Sequence, residues 1–139
     1  NPNDAELALC AFGEQHLAQD VMVVRDGAEA LDYLFRRGEH ANRPEGLPVV
    51  AFLDLKMPRV DGLTLLRQMK SDPRLRTIPV VMLTSSREES DLAQSYQAGA
   101  NAYVVKPVDF QHYLDAVKQL GEFWAHINEP PPARAAQAA

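Results

Sequence analysis

Three residues of this 139-residue chain have the chemistry to act together: Asp54, Thr84 and Lys106. Each follows an apolar run whose pattern does not account for it: Val49-Val50-Ala51-Phe52-Leu53, Val80-Val81-Met82-Leu83 and Ala102-Tyr103-Val104-Val105. Short apolar runs rich in β-branched residues read as strands buried on both faces, the habit of parallel sheets. Parallel strands end along one edge, where open α/β folds collect ligands, so a carboxylate, a hydroxyl and an ammonium can meet there in one small site. Each residue also has a plainer reading. Asp54 can cap the turn made by Pro58 and Asp61-Gly62, Thr84 can cap the helix that follows, and Lys106 can be a solvated strand end. Their joint placement at successive strand ends favours the shared site.

The elements that must position these residues can be read in order. Asn3 and Glu6 have capping-box spacing, and Leu7, Cys10 and Ala11 recur at helical spacing, which predicts a helix from about Asp4 to Ala18. Val21-Met22-Val23-Val24 reads as a buried strand. Asp26 with Glu29 opens a helix whose stripe is Ala30, Leu31 and Leu34 and which Gly38 closes. The punctuated segment Glu39 to Pro48 is a surface loop, with His40 a solvated side chain rather than a metal ligand. After Asp54, a helix carrying Leu63, Leu66 and Met69 ends at Asp72-Pro73. Ser86 with Glu89 makes a capping box for a helix with Leu92, Ala93 and Tyr96 on its stripe, ending at Gly99. A long helix runs from Asp109 through Phe110, Tyr113, Leu114, Val117, Leu120, Phe123, Trp124 and Ile127. Strict alternation of helix and strand implies right-handed crossovers and a parallel sheet covered on both faces.

Composition narrows the classes of function. With 46% apolar residues the chain can build one core, predicted over 1–128, and the Pro/Ala-rich stretch 129–139 reads as a disordered tail. A net charge of −5 with dispersed basic residues argues against direct nucleic-acid binding. No run is long and apolar enough to span a membrane, no signal peptide is evident, and the single Cys10 fits a reducing compartment, so a cytoplasmic protein is expected.

The runs Leu53-Asp54-Leu55-Lys56-Met57-Pro58, Asp61-Gly62, Leu83-Thr84-Ser85, Gly99-Ala100 and Tyr103-Val104-Val105-Lys106-Pro107 resemble the receiver domain of two-component response regulators, over nearly the whole chain. The resemblance implies a doubly wound α/β fold, with a five-stranded parallel sheet of flavodoxin-like order 2-1-3-4-5 and helices on both faces. It implies that Asp54 accepts a phosphoryl group from the phosphohistidine of a sensor histidine kinase. Thr84 would hydrogen-bond the aspartyl phosphate and Lys106 would pair with its oxygens. Tyr103 would change rotamer on activation, with Ser85 as a second switch position, and the Lys106–Pro107 bond would be cis. Mg²⁺ would be held by Asp54 and the carbonyl of Lys56. Such roles are coherent, because phosphoryl transfer needs a positioned nucleophile and neutralisation of the transferring oxygens.

The chain departs from that pattern at its start, where the family's first strand and its acidic pair are absent from the given sequence. Asp4 and Asp61 are poor substitutes, so about ten further residues are expected upstream, forming an apolar strand that ends in acids. No output module is expected after the receiver, so output is expected through protein contacts, on the helix opened at Ser86 or on the last helix. Phe123, Trp124 and Ile127 extend beyond the length needed to cover a strand and mark a homodimer contact, with core packing an equal reading for Phe123. Glu122-Phe123-Trp124, the loop Arg37 to Pro48 and Lys70-Ser71-Asp72-Pro73 resemble the small regulators paired with bacterial phytochromes, which would make the kinase a bilin-binding photoreceptor. Two other classes compete. A metal-dependent hydrolase could use Asp54 as nucleophile, but Lys56 stands where such enzymes place a second acid. An unphosphorylated scaffold that has lost metal is disfavoured by the intact Asp54, Thr84 and Lys106.

Overall fold

A computed structural model describes residues 22–24, 26–43, 46–56 and 59–129. Its elements, in chain order, are α1 (Gly27–Phe35), a 3₁₀ turn (Gly38–His40), β1 (Ala51–Leu53), α2 (Gly62–Ser71), β2 (Val80–Thr84), α3 (Glu89–Gln97), β3 (Ala102–Val105) and α4 (Phe110–Glu122), which runs on into a π-helical turn (Phe123–Ile127). The predicted helix near the start, Cys10 and the tail from residue 130 lie outside the described residues. Among the described residues the three strands form one parallel sheet in the order β1-β2-β3. Together with its helices it makes an α/β architecture.

Side-chain alternation along the strands sends two cores to the two faces of the sheet. Leu53, Val80 and Met82 join Leu31, Leu65, Leu66 and Met69 of α1 and α2 on one side. Phe52, Leu83 and Val104 join Tyr113, Leu114 and Val117 of α4 on the other. Three of the four described α-helices start where a short acid can accept from the otherwise unpaired amides of the first turn. Asp26 accepts from the Glu29 amide, Asp61 from that of Thr64 and Asp109 from that of His112. Asp61 is therefore the cap of α2 and not merely part of a turn.

Several expectations are corrected. Residues 22–24, read as part of a strand, pair with none of the described strands; Met22 and Val23 are exposed and only Val24 packs on the core. A strand needs a hydrogen-bonded neighbour, and none of the described residues supplies one. The first run begins its ladder at Ala51, leaving Val49 exposed. The reason is Pro79: its carbonyl accepts from Ala51, but it has no amide with which to extend the pairing backwards. Helix α1 is closed by Arg36 in the left-handed region, two residues before Gly38. The Ser86–Glu89 capping box is not formed, because the Ser86 hydroxyl turns to Asp91 and α3 starts at Glu89 without a side-chain cap. The α3 stripe faces outward, with Leu92 and Tyr96 exposed and Ser95 buried instead. His40 is not solvated: its Nε2 lies 2.9 Å from a carboxylate oxygen of buried Glu29.

Candidate functional site

Parallel register places the three polar strand ends side by side. β1 pairs with β2 as far as Leu53 with Met82, and β2 with β3 as far as Thr84 with Val105, so Asp54, Thr84 and Lys106 share one edge. All three line a single cavity of about 680 Å³, with Lys56, Ser85, Ser86, Pro107 and Tyr113 among its walls. The Lys106 ammonium donates to Asp54 Oδ2 at 2.8 Å, and the Lys56 amide donates to Asp54 Oδ1 at 3.1 Å. Both groups are mostly withdrawn from water, which strengthens their attraction relative to a surface pair. Thr84 is buried, and its hydroxyl oxygen accepts from the Ser86 amide at 3.2 Å while remaining able to donate.

The predicted switch residues flank this cavity. Tyr103 donates its hydroxyl to the Ser86 carbonyl at 3.1 Å, and Ser85 lies exposed on the rim. The backbone around Ser86 is thus held from both sides, by Thr84 and by Tyr103. Its hydroxyl donates to Asp91 Oδ2 at 2.6 Å and so also ties the site to α3. Sequence reasoning missed this last contact, since a serine and an aspartate five residues apart across a helix start carry no recognised signature. It also placed Phe110 on a buried stripe, whereas that ring is half exposed and forms part of the cavity wall. The Lys106–Pro107 bond is trans, as is every peptide bond described, and the ammonium reaches Asp54 all the same. Phe123, Trp124 and Ile127 stand apart on the π-helical turn. Phe123 and Trp124 meet edge to face with ring centres 5.0 Å apart, and Phe123 and Ile127 are exposed.

Mg²⁺ takes about six oxygen ligands in a near-octahedral shell. Asp54 is the one acid among the described residues lining the cavity, and both of its oxygens already accept hydrogen bonds. The described donors do not by themselves make a Mg²⁺ site.

Residues 6–118 match the family model of the response regulator receiver domain, and the chain belongs to that family. Curated relatives include the probable methanogenesis regulatory protein FilR2 of Methanothrix harundinacea, 39% identical over 94% of this chain and 83% of its own length. Another is the response regulator Rcp1 of Synechocystis sp., 34% identical over 94% and 87%. Among solved structures, the bacteriophytochrome response regulator RtBRR is 54% identical, covering 99% of this chain and 84% of its own, with a TM-score of 0.73. The phosphorylated cyanobacterial phytochrome response regulator RcpA gives a TM-score of 0.87 at 37% identity, covering 95% and 93%. The Mn²⁺-bound form of Rcp1 gives 0.82 at 29%, covering 95% and 94%. The chain is thus a response regulator homologous to phytochrome response regulators over nearly its whole length. Its receiver is a phosphoacceptor signalling module. Among the described residues no helix is long and apolar enough to cross a membrane.

Proposed function

We propose that Asp54 is the phosphoacceptor and that the protein relays the state of a sensor histidine kinase through phosphorylation-dependent contacts. The observation that carries this reading is the convergence of Asp54, Thr84 and Lys106 on one cavity, with the ammonium 2.8 Å from the carboxylate. A carboxylate oxygen attacks the phosphorus of a phosphohistidine; the O–P bond forms, the P–N bond breaks and the imidazole leaves with the electron pair. Lys106 neutralises charge on the transferring oxygens, and Thr84 donates its hydroxyl to one of them. Tyr103 and Ser85 would register the change, since Thr84 and Tyr103 grip the same backbone at Ser86.

The family resemblance and the Mn²⁺ held by Rcp1 support Mg²⁺ as the cofactor, with Asp54 and the Lys56 carbonyl as ligands. The remaining oxygens would have to come from outside the described residues. The finer fold is a five-stranded sheet of order 2-1-3-4-5 to which residues 1–128 contribute every strand but the first, followed by the tail at 129–139. An apolar cleft of about 380 Å³, lined by Met22, Val24, Ala51, Leu53 and Met69, supports a further strand beside β1.

The kinase partner is of the phytochrome type, on the strength of likeness to RtBRR and RcpA, and the protein acts in the cytoplasm. Output uses the exposed Leu92 and Tyr96 of α3, and a second copy docks on Phe123, Trp124 and Ile127. Treatment with acetyl phosphate and Mg²⁺, followed by intact-mass measurement of wild type and Asp54→Asn, tests the acceptor. Sedimentation of Trp124→Ala at micromolar concentration tests the dimer, and an unchanged oligomeric state would count against it.

A further inference from the structure

Arg59 follows the acceptor by five positions and has φ 66, a left-handed conformation that costs a side-chain-bearing residue steric strain. Its guanidinium grips Asp26 with both arms: Nε donates to Oδ2 and Nη2 to Oδ1, each at 2.8 Å. Asp26 is at the same time the cap of α1. The next residue in each segment adds to the hold, because Gly27 lies so close to Val60 that a Cβ there would come within 2.0 Å of the Val60 carbonyl oxygen. At the other end of this short stretch, Gly62 donates its amide to the Leu55 carbonyl at 3.0 Å. A Cβ at Gly62 would fall 2.0 Å from the carbonyl oxygen of Asp54 itself. Residues 59–62 are therefore a strap, fastened to α1 at one end and pressed on the backbone of Asp54 and Leu55 at the other.

We propose that the Arg59–Asp26 pair is a clamp that positions Asp54 through this strap. It holds the acceptor backbone, and with it the Lys56 amide on Oδ1, in the geometry a phosphoryl donor meets. The inference rests on the reading of Asp54 as phosphoacceptor. Arg59 is a positioning residue: it lines no part of the cavity that holds Asp54, Thr84 and Lys106. Its side chain is more than half exposed, so the pair adds little to global stability and can be removed without unfolding the domain. Arginine suits the place because a planar fork meets both carboxylate oxygens, which an ammonium cannot do.

The test compares wild type with Arg59→Ala, Arg59→Gly, Arg59→Lys, Asp26→Asn and the double variant Arg59→Ala/Asp26→Asn. Asparagine keeps the helix cap while losing the charge. The readouts are the initial rate of Asp54 phosphorylation by acetyl phosphate, the thermal midpoint and hydrogen exchange at the Lys56 amide. The clamp predicts that Arg59→Ala and Arg59→Gly both slow phosphorylation by about tenfold, with faster Lys56 exchange and a nearly unchanged midpoint. Lysine restores part of the rate, and the double variant is no slower than the slower single one, because both changes remove one contact. A wild-type rate in Arg59→Gly, or additive losses in the double variant, would overturn it. If the wild type takes no phosphoryl group on Asp54, the parent reading fails. The Lys56 amide then judges the clamp alone: faster exchange in Arg59→Ala upholds it and unchanged exchange rejects it.

Discussion

The Lys106 ammonium and the Asp54 carboxylate lie 2.8 Å apart although 52 positions separate them in the chain. The pair exists because β1 and β3 end on the same edge with only β2 between them. Replacing Lys106 with methionine keeps the stem and deletes the charge. Phosphorylation of Asp54 by acetyl phosphate should slow by about a hundredfold, the scale for losing one preorganised charge-stabilising donor. A variant as fast as wild type in a quenched-flow mass assay would remove Lys106 from the mechanism.

Thr84 is buried at the end of β2, and its oxygen accepts from the Ser86 amide. Valine has nearly the same shape without the oxygen. Thr84→Val should lose about 1 kcal/mol of stability in urea titration, and Thr84→Ser should recover it. A Thr84→Val variant as stable as wild type would show that the Ser86 amide finds another acceptor.

Asn101 precedes β3 and receives the amide of the fully buried Val80 on its side-chain oxygen at 2.9 Å. The Lys70 ammonium closes the same corner, donating to the Ile78 carbonyl at 2.7 Å and approaching Asn101 at 3.4 Å, and burial holds its pKa below the usual lysine value. Asn101→Ala orphans the Val80 amide and should cost about 1–3 kcal/mol by equilibrium unfolding. Because β2 carries Thr84, the loss should also appear as faster exchange along that strand.

Hydrogen bonding from Arg59, followed by that from the Glu29 amide, holds the Asp26 carboxyl below its ordinary value of 3.8. A depressed carboxylate pKa contributes stability that is present above the unfolded value and lost as pH falls through the folded one. The small difference in thermal midpoint that this exposed pair allows between wild type and Arg59→Ala should therefore be constant near neutrality and shrink below pH 3.8. A difference that persists at lower pH would mean that Arg59 acts through contacts other than this charge.

The site was legible because its logic is one-dimensional. Apolar runs rich in β-branched residues announced strands, and an unexplained acid, alcohol or amine at each end announced a shared edge. Asp26 and Asp109 were equally readable as starts of helices. What the sequence hid depends on neighbours that are distant or absent. The stripe of Leu92 and Tyr96 has helical spacing whether or not anything covers it, and here it faces outward. The run at 22–24 has the composition of a strand but no described partner. His40 met Glu29 across 11 positions, and Arg59 met Asp26 across 33, distances at which spacing carries no signal.

The most direct test of the whole account is the intact mass of the protein after acetyl phosphate and Mg²⁺, with the modified residue located by fragmentation. One phosphoryl group on Asp54, absent from Asp54→Asn, is the predicted result. A wild-type protein that stays unmodified, or a phosphoryl group that persists in Asp54→Asn, would contradict it.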